Sequence, residues 1–373
     1  MKKILFFTPY GGRTGSEMLL WNILQHLDTS RYQAMLYADQ NGSLRQALPS
    51  HIPYATSPYN GGFARRTLSR LQTAAGFSAY EGHILALHRR FKPDYWYLNT
   101  TAMAHLAPLA NRLNIPLIAH VSEMPYLLFE TVKRDDLVAM LRAGLVFGLS
   151  ETACEALRVM GVANPRLLPP SIDLSQISVA PARVAALRAQ LGIPPGAFVW
   201  GSSGSLIYRK GIDYLSALAR RMKEAGRNCY FLWMGGNTTN ASEYYLRCEL
   251  AHQGHTNVLL TGALHETYYE HMALIDAFLM LSHEETFGMV NVEAAYLGKP
   301  ILAFNSGGIR DILLPGMGYI VESWNVADFA DAMLALMDGR IPLDPAVSRE
   351  RAQAFAPALL YRKWDEYVSR YTL

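Results

Sequence analysis

The sequence contains only three cysteines, Cys154, Cys229 and Cys248, and none of them belongs to a Cys-x-x-Cys pair. Three thiols without paired spacing argue against a disulfide framework and a zinc site, and they favour a reducing, cytoplasmic location. No apolar run approaches the ~18–20 residues that a membrane-spanning helix requires. The apolar run Ile4–Phe7 is too short for the core of a signal peptide, so it is predicted to form a buried first strand.

Charge is also scarce, because only 17% of the residues are Asp, Glu, Lys or Arg and the net charge is +3. So small an excess of positive charge argues against nucleic acid as a partner. The sequence has no Asp-x-Asp, no Walker lysine and no G-x-G-x-x-G, which argues against a P-loop and a dinucleotide fingerprint. What is present is a chain of 373 residues that is 50% hydrophobic, enough for two domains with their own cores.

Short apolar runs of strand length alternate with amphipathic stretches of helix length along most of the chain. This alternation predicts an α/β fold of two tandem doubly wound parallel-sheet domains that face each other across a cleft. The proline-rich segment Leu168–Asp173 interrupts the pattern and is predicted to be a linker. The predicted domains are residues 1–173 and 174–356, and an aromatic-rich helix follows at 357–373. Ligands of open parallel sheets bind at the carboxyl ends of strands, so residues just after strands are the candidates for function.

One candidate turn follows the first predicted strand of each domain. In the first domain, the turn Pro9–Glu17 contains Gly11 and Gly12, which allow close backbone approach to a ligand, although such turns are common in α/β proteins. In the second domain, a loop of small residues leads to Arg209 and Lys210 at a predicted helix start. Cations oppose the helix macrodipole there, so an anion such as a diphosphate is the candidate partner, and a solvated basic loop is the alternative.

The segment Ser282–Ala295 carries the largest number of candidate functional residues. It follows an apolar strand, and a helix is predicted to begin near Met289. Gly288 leaves the backbone N–H groups of the first helical turn open as an anion site. Carboxylates accept hydrogen bonds from sugar hydroxyls, so Glu285 is a candidate for a bound sugar and Glu293 for a ribose. The alternative for the two glutamates is a solvated helix face.

Together, these segments resemble the family-four retaining glycosyltransferases, which have the two-domain GT-B fold. The resemblance covers nearly the whole chain and is most specific in residues 198–320. The matching motifs occur in the order and spacing of the family; they are Tyr208–Gly211, the pair Glu285 and Glu293 with seven residues between, Phe287-Gly288, Gly298–Pro300, Gly307-Gly308, Ser150, Ser171–Asp173 and Leu232–Gly236.

The resemblance implies a role for each matching residue. Lys210, helped by Arg209, holds the donor diphosphate, and Glu285 acts on the donor sugar and phosphates together with the backbone of residues 287–290. Glu293 binds the ribose hydroxyls, and the C-terminal helix crosses back to the first domain. The predicted catalytic residues are therefore Glu285, Lys210, Arg209 and His120, and the predicted donor-binding residues are Gly12, Ser205, Phe287, Gly288, Met289, Val290 and Glu293.

Two positions depart from the family pattern. Many members carry Arg where this chain has Ser205, and the neighbouring Arg209 is the candidate for supplying that charge. Many also carry His after a strand of the first domain, where this chain has His120 and, in place of the second His of a His-x-His-Glu form, Ser122. Side chains alternate along a strand, so His120 and Ser122 share a face, with Glu123 close behind on the acceptor side. A buried structural His120 is the alternative.

The resemblance implies transfer of a sugar from a UDP- or GDP-sugar to a glycan, lipid-linked or small-molecule acceptor, with retention of configuration, in polysaccharide or glycoconjugate synthesis. Because Asp-x-Asp is missing, the reaction is predicted to need no metal, and no cofactor is expected. A nucleotide-sugar epimerase on the same fold and a binding subunit without activity are the alternatives. The basic amphipathic stretch Phe63–Leu71 is either an ordinary surface helix or a peripheral contact with the inner face of an anionic membrane.

Overall fold

The structure is a computed structural model that describes residues 1–12, 15–58, 78–125, 128, 132–236 and 241–371. The chain divides into two compact units. Unit 1 comprises Met1–Ser171 and Pro357–Leu373, and unit 2 comprises Ile172–Ala356. The basic stretch Phe63–Leu71 lies outside the described residues.

Unit 1 is built around a seven-stranded sheet in which all neighbouring strands pair in parallel, in the order β3-β2-β1-β4-β5-β6-β7. The strands are β1 (Lys2–Tyr10), β2 (Tyr32–Gln40), β3 (Tyr54–Thr56), β4 (Tyr95–Asn99), β5 (Leu117–Val121), β6 (Leu145–Gly148) and β7 (Arg166–Leu167). The α-helices of its first segment are α1 (Gly15–Gln25), α2 (Leu44–Ala47), α3 (Ala79–Phe91), α4 (Ala107–Arg112), α5 (Arg134–Leu141) and α6 (Glu151–Val159). Every residue of β4 and β5 is buried, as expected for strands that are covered on both faces.

The connection after β4 consists of two successive helical segments. Residues Thr101–Leu106 form a 3₁₀ helix, and α4 begins only at Ala107. Thr100 is the N-cap of this 3₁₀ helix; its φ is 69°, and its hydroxyl accepts a hydrogen bond from the Ala102 N–H at 3.2 Å. Pro108 stands in the first turn of α4, where its missing N–H costs nothing, so the α-helix starts afresh at this point.

Unit 2 contains a six-stranded sheet, also parallel throughout, in the order β10-β9-β8-β11-β12-β13. The strands are β8 (Phe198–Ser203), β9 (Cys229–Met234), β10 (Val258–Leu260), β11 (Ala277–Met280), β12 (Ile301–Phe304) and β13 (Gly318–Val321). The helices are α7 (Pro181–Gln190), α8 (Asp213–Glu224), α9 (Ala241–His252), α10 (Tyr268–Leu274), α11 (Met289–Tyr296), α12 (Val326–Met337) and α13 (Pro345–Gln353).

The last helix, α14 (Pro357–Arg370), returns to unit 1. Its Trp364 is fully buried, with ring centroids 5.2 Å from Tyr32 and 6.4 Å from Phe6. The Lys2 ammonium donates hydrogen bonds to three carbonyl oxygens at the end of this segment, those of Val368, Ser369 and Tyr371, at 2.9, 3.0 and 2.7 Å. A cation here satisfies carbonyl groups that a helix end leaves without partners, so the first strand and the last helix hold each other in place.

The strand order of each sheet reverses beside its first strand, between β1 and β4 in unit 1 and between β8 and β11 in unit 2. In doubly wound sheets, the loops after the two strands at such a reversal separate and border a crevice at the carboxyl edge. The predicted fold of two doubly wound parallel-sheet domains is confirmed. Within the described residues, no helix is long and apolar enough to cross a membrane.

Candidate active site

The crevice of unit 2 brings together Lys210, after β8, and Glu285, after β11. The Lys210 ammonium lies 2.5 Å from Glu285 Oε2, and the side chains are 18% and 12% exposed. The Ser282 hydroxyl lies 3.4 Å from the same oxygen. The sequence assigned the lysine to a phosphate and the glutamate to a sugar, and the structure shows that each is the ionic partner of the other.

Gly204, in the loop after β8, lies against the side chain of Lys210. Gly204 has a φ of 140°, and a Cβ built on it would lie 3.5–3.8 Å from the aliphatic stem of Lys210. The indole N–H of Trp233, on β9, donates to the Gly204 carbonyl oxygen at 2.9 Å. This hydrogen bond fixes the loop after β8, which leads to Lys210, to the neighbouring strand β9. Ser205, the next residue, is exposed.

Arg209 fastens the two loops of the crevice to each other. Its guanidinium donates to the Glu284 carbonyl oxygen at 3.0 Å, and its own carbonyl oxygen accepts from the His283 N–H at 2.9 Å. This pair of contacts holds the Glu285 loop against the Lys210 loop. The role of Arg209 as a substitute for the family arginine stays a prediction, since at least one of its N–H groups is used within the protein.

His283 strengthens the same connection, and sequence analysis did not identify it. Its ring stacks on Tyr208 with centroids 4.4 Å apart and lies parallel to Trp324 at 6.0 Å. Its Nε2 atom lies 2.9 and 3.0 Å from the two carboxylate oxygens of Asp213. A histidine between two aromatic residues and a carboxylate has little freedom to rotate, so the loop before Glu285 has a defined course.

The loop after β12 supports the backbone of Glu285. The Glu285 N–H donates to the Ser306 carbonyl oxygen at 2.8 Å, and the Gly308 N–H donates to the Glu285 carbonyl oxygen at 2.9 Å. A Cβ on Gly308 would lie 2.1 Å from the Thr286 carbonyl oxygen, so only glycine fits this approach. Gly308, one of the glycine pair that matches the family motif, therefore supports the Glu285 backbone.

Helix α11 begins at Met289, where the sequence predicted it, and Gly288 precedes it with a φ of 85°. The Asn291 side chain donates to the Gly288 carbonyl oxygen at 3.1 Å and shapes the turn. Phe287 is 2% exposed and packs against Phe355, with ring centroids 5.1 Å apart. Its side chain belongs to the core, so a donor can meet only its backbone; Val290 is half-buried.

Glu293 lies on α11 in a cluster of hydroxyl groups that sequence analysis did not identify. Tyr268 donates to its Oε2 atom at 3.0 Å, and Tyr269 donates to its Oε1 atom at 3.2 Å. The Ser203 hydroxyl, at the end of β8, lies 3.0 Å from the Tyr268 hydroxyl. Burial raises the pKa of Glu293 to about 7, although the two phenols lower it in part.

The candidate residues of unit 1 have different environments. His120 is fully buried beside Phe147, and its Nδ1 atom lies 2.7 Å from the Tyr97 hydroxyl. Burial lowers its pKa to about 3, so the ring stays neutral. These contacts favour the structural role of His120, one of the two alternatives that the sequence left open.

The carboxylate of Glu123 also supports the fold of unit 1. One of its oxygens accepts from the backbone N–H groups of Thr101 and Ser122 at 3.1 and 3.0 Å, and burial raises its pKa. Ser122 is half-buried. Gly12 is buried, and a Cβ on it would meet the ring of Tyr10, a side chain that is itself exposed. Ligand contacts of these residues remain predictions.

Comparison with known proteins finds a family match within unit 2. Residues 184–354 match the family model of the Glycosyl transferases group 1. The chain is 29% identical over 214 residues to the 2-deoxystreptamine glucosyltransferase of Streptomyces kanamyceticus, which covers 56% of this chain and 54% of the relative. It is 31% identical over 222 residues to the D-inositol 3-phosphate glycosyltransferase of Geodermatophilus obscurus, covering 56% of this chain and 48% of the relative. The chain thus spans about half the length of the curated relatives that it matches.

Solved structures resemble the chain over its full length. Anabaena HepE in complex with UDP-glucose has a TM-score of 0.80 at 22% identity, with 100% of each chain covered. The lipopolysaccharide outer core galactosyltransferase WaaB has a TM-score of 0.71 at 15% identity, again with 100% of each chain covered. The fold is therefore the GT-B fold, as predicted, and the sequence match to the Glycosyl transferases group 1 lies within unit 2.

Proposed function

We propose that the protein is a retaining, metal-independent glycosyltransferase that moves a sugar from a nucleotide diphosphate sugar to an acceptor. The observation that carries the proposal is the Lys210–Glu285 pair at the switch point of unit 2, with the start of α11 next to it. A cation and a helix N-terminus suit a diphosphate, and a carboxylate suits sugar hydroxyls. The family match covers these residues.

UDP is the first nucleotide to test, with GDP as the second. The HepE structures that resemble this chain contain UDP and UDP-glucose, which supports a uridine donor here. The likeness to HepE is 22% in sequence, so the sugar and the base of this protein's donor are matters for experiment.

The chemistry follows from the charges of the site. Breaking the anomeric C–O bond leaves negative charge on the diphosphate, and the groups proposed to stabilise it are Lys210, Arg209 and the N-terminus of α11. When the phosphates bind Lys210, the ammonium group exchanges its ionic contact with Glu285 for a contact with the leaving group. Retention rests on the family resemblance, and departure and attack on the same face of the sugar is the course that we propose.

The acceptor side is proposed for unit 1, near Ser122 and Glu123. A glycan, a lipid-linked or a small-molecule acceptor in polysaccharide or glycoconjugate synthesis fits the family resemblance. A lipid-linked acceptor would bring the protein to the inner face of a membrane, which is the peripheral contact proposed for Phe63–Leu71. No nucleic acid partner is proposed.

The proposed function predicts that a matching nucleotide sugar stabilises the protein and that other nucleotide sugars do not. A panel of UDP- and GDP-sugars is measured by thermal shift, because a ligand that binds only the native state raises the unfolding temperature. Each stabilising donor is then tested for slow hydrolysis and for conversion without acceptor. Glu293→Ala, which removes the proposed ribose contact, should abolish the shift. An isomerised donor without any acceptor would indicate the epimerase, and binding without hydrolysis or transfer would indicate the binding subunit.

The proposed chemistry also predicts that turnover persists in excess EDTA. Lys210, Arg209 and the α11 N-terminus carry the positive charge that a metal supplies in other transferases. Within the described ranges, no group of three or more His, Cys, Asp or Glu side chains is placed to hold a metal ion. Initial rates are compared with and without chelator, and then with added manganese. Loss of activity in EDTA and recovery with manganese would contradict this account of leaving-group stabilisation.

A further inference from the structure

Two adjacent tyrosines converge on the Glu293 carboxyl group. Tyr268 and Tyr269 open helix α10, and their hydroxyls reach Oε2 and Oε1 at 3.0 and 3.2 Å. Successive residues of a helix point about 100° apart, so one carboxyl group meets both side chains only by lying across the first turn of α10. The arrangement fixes both oxygens of Glu293.

The direction of the hydrogen bonds can be derived from the number of protons. A phenol has one O–H, and a carboxylate has none to offer, so Tyr268 donates to Glu293. The Ser203 hydroxyl, 3.0 Å from the Tyr268 oxygen, must then be the donor to Tyr268. A chain of hydrogen bonds runs from the end of β8 through Tyr268 to Glu293.

We propose that Tyr268, assisted by Tyr269 and oriented by Ser203, is a positioning residue that holds the Glu293 carboxyl group for the ribose hydroxyls of the nucleotide. The proposal rests on the function proposed above. A carboxylate has about four acceptor positions, two on each oxygen. The phenols occupy one position on each oxygen, which leaves one on each for the two hydroxyls of a ribose.

Burial raises the pKa of Glu293, and the hydrogen bonds from Tyr268 and Tyr269 lower it in part. The strands β11 and β12, against which α11 packs, contribute no titratable side chain. Other titratable or charged groups lie on the segments around Glu293. Glu270 pairs with Arg183, and His271 bonds the Thr267 carbonyl oxygen. Asp173 acts on Tyr269, and helix α13 carries Arg349, Glu350 and Arg351.

The sign of the pH dependence follows from these contacts. Ribose hydroxyls donate to Glu293, so they favour its ionised form, and nucleotide affinity should rise with pH until the free carboxyl group is ionised, near its pKa of about 7. A Tyr268→Phe substitution removes one donor to the carboxylate and raises the pKa of Glu293 further. The midpoint of the affinity profile should therefore move upward, by about one pH unit for one hydrogen bond to a charged group.

The test measures UDP and GDP affinity by calorimetry across a pH range on both sides of neutrality. The wild-type protein is compared with Tyr268→Phe, Tyr269→Phe and Ser203→Ala, and unfolding temperatures show that each variant is folded. The terminal phosphate of the nucleotide titrates in the same range, so Glu293→Gln supplies the profile of the phosphate alone. Tyr319→Phe, at a half-exposed tyrosine of β13, is the matched control.

The inference expects an upward shift of the midpoint in Tyr268→Phe and Tyr269→Phe, a smaller shift in Ser203→Ala, and affinities close to the wild-type value at alkaline pH. An equal loss of affinity at every pH would show that the tyrosines only support the fold, and an unchanged profile would show that they do not act on Glu293. Either result overturns the inference and leaves the proposed function standing. If neither nucleotide binds the wild-type protein at any pH, the proposed function fails and the inference fails with it.

Discussion

A Lys210→Ala variant is expected to bind UDP about 10- to 150-fold more weakly than the wild-type protein and to lose turnover in step. A charge-assisted contact to phosphate contributes about 1.5–3 kcal/mol, which corresponds to that range. The structure leads us to expect a loss of UDP affinity near the upper end of this range. Removing the lysine leaves the Glu285 carboxylate, 2.5 Å from the lost ammonium, without its partner, and the carboxylate then repels the incoming phosphates.

The glutamate provides the internal check on this prediction. In a Glu285→Gln background, Lys210→Ala should cost less UDP affinity than it does in the wild-type protein, because the repelling charge has gone. The four proteins form a double-mutant cycle in which the pairwise term is measured by calorimetry. Lys223→Ala, on helix α8, is the control for loss of a surface charge. Wild-type UDP affinity in Lys210→Ala would falsify the assignment of this lysine to the diphosphate.

Glu285→Gln is expected to reduce kcat by about a hundredfold or more and to leave UDP affinity unchanged or slightly higher. Positive charge develops on the sugar as the anomeric bond breaks, and a fixed carboxylate stabilises that charge far better than an amide does. Free UDP lacks the transferred sugar, which is the proposed contact of Glu285. Its phosphates compete with Glu285 for Lys210, so neutralising the glutamate removes a competitor.

Glu293→Ala should show the reverse pattern and serves as the comparison. Its contact is proposed to be with the ribose, so UDP and the nucleotide sugar should be weakened alike. Calorimetry with UDP, together with steady-state kinetics, separates the two variants. Equal losses of UDP affinity in Glu285→Gln and Glu293→Ala would contradict the placement of the two carboxylates on different parts of the donor.

Several features of the site could be predicted because they depend on neighbours in the sequence. The apolar run before Ser282 and the glycine at 288 indicated where β11 ends and α11 begins, and the structure has these boundaries within one or two residues. Strand-to-loop transitions also indicated that Lys210 and Glu285 follow strands of parallel sheets. Ligands of such sheets bind at one edge, so both residues were candidates for one site.

The contacts between these candidates were not predictable from local pattern. Lys210 and Glu285 are 75 residues apart, and only the neighbouring positions of β8 and β11 in the sheet make them an ion pair. Tyr268 and Tyr269 looked like ordinary aromatic residues, because nothing near them in the sequence shows that Glu293 lies opposite. The stack of His283 between Tyr208 and Trp324 likewise depends on three separate loops.

His120 shows how burial depends on the whole unit. Alternation along β5 indicated which residues share its face, but the same pattern suits a ligand-binding histidine and a core histidine. The structure encloses the ring with Tyr97 and Phe147, from the strands on either side, and this enclosure lowers its pKa to about 3.

The order of apolar, polar and glycine residues was therefore enough to specify two parallel α/β domains and the loops that carry their chemical groups, since helices, strands and turns depend on local periodicity and backbone freedom. The order of strands in each sheet decided which of those groups meet. Ion pairing, hydrogen bonding and desolvation act over a few ångströms, so the Lys210–Glu285 pair and the raised pKa of Glu293 arise only once distant segments are packed together.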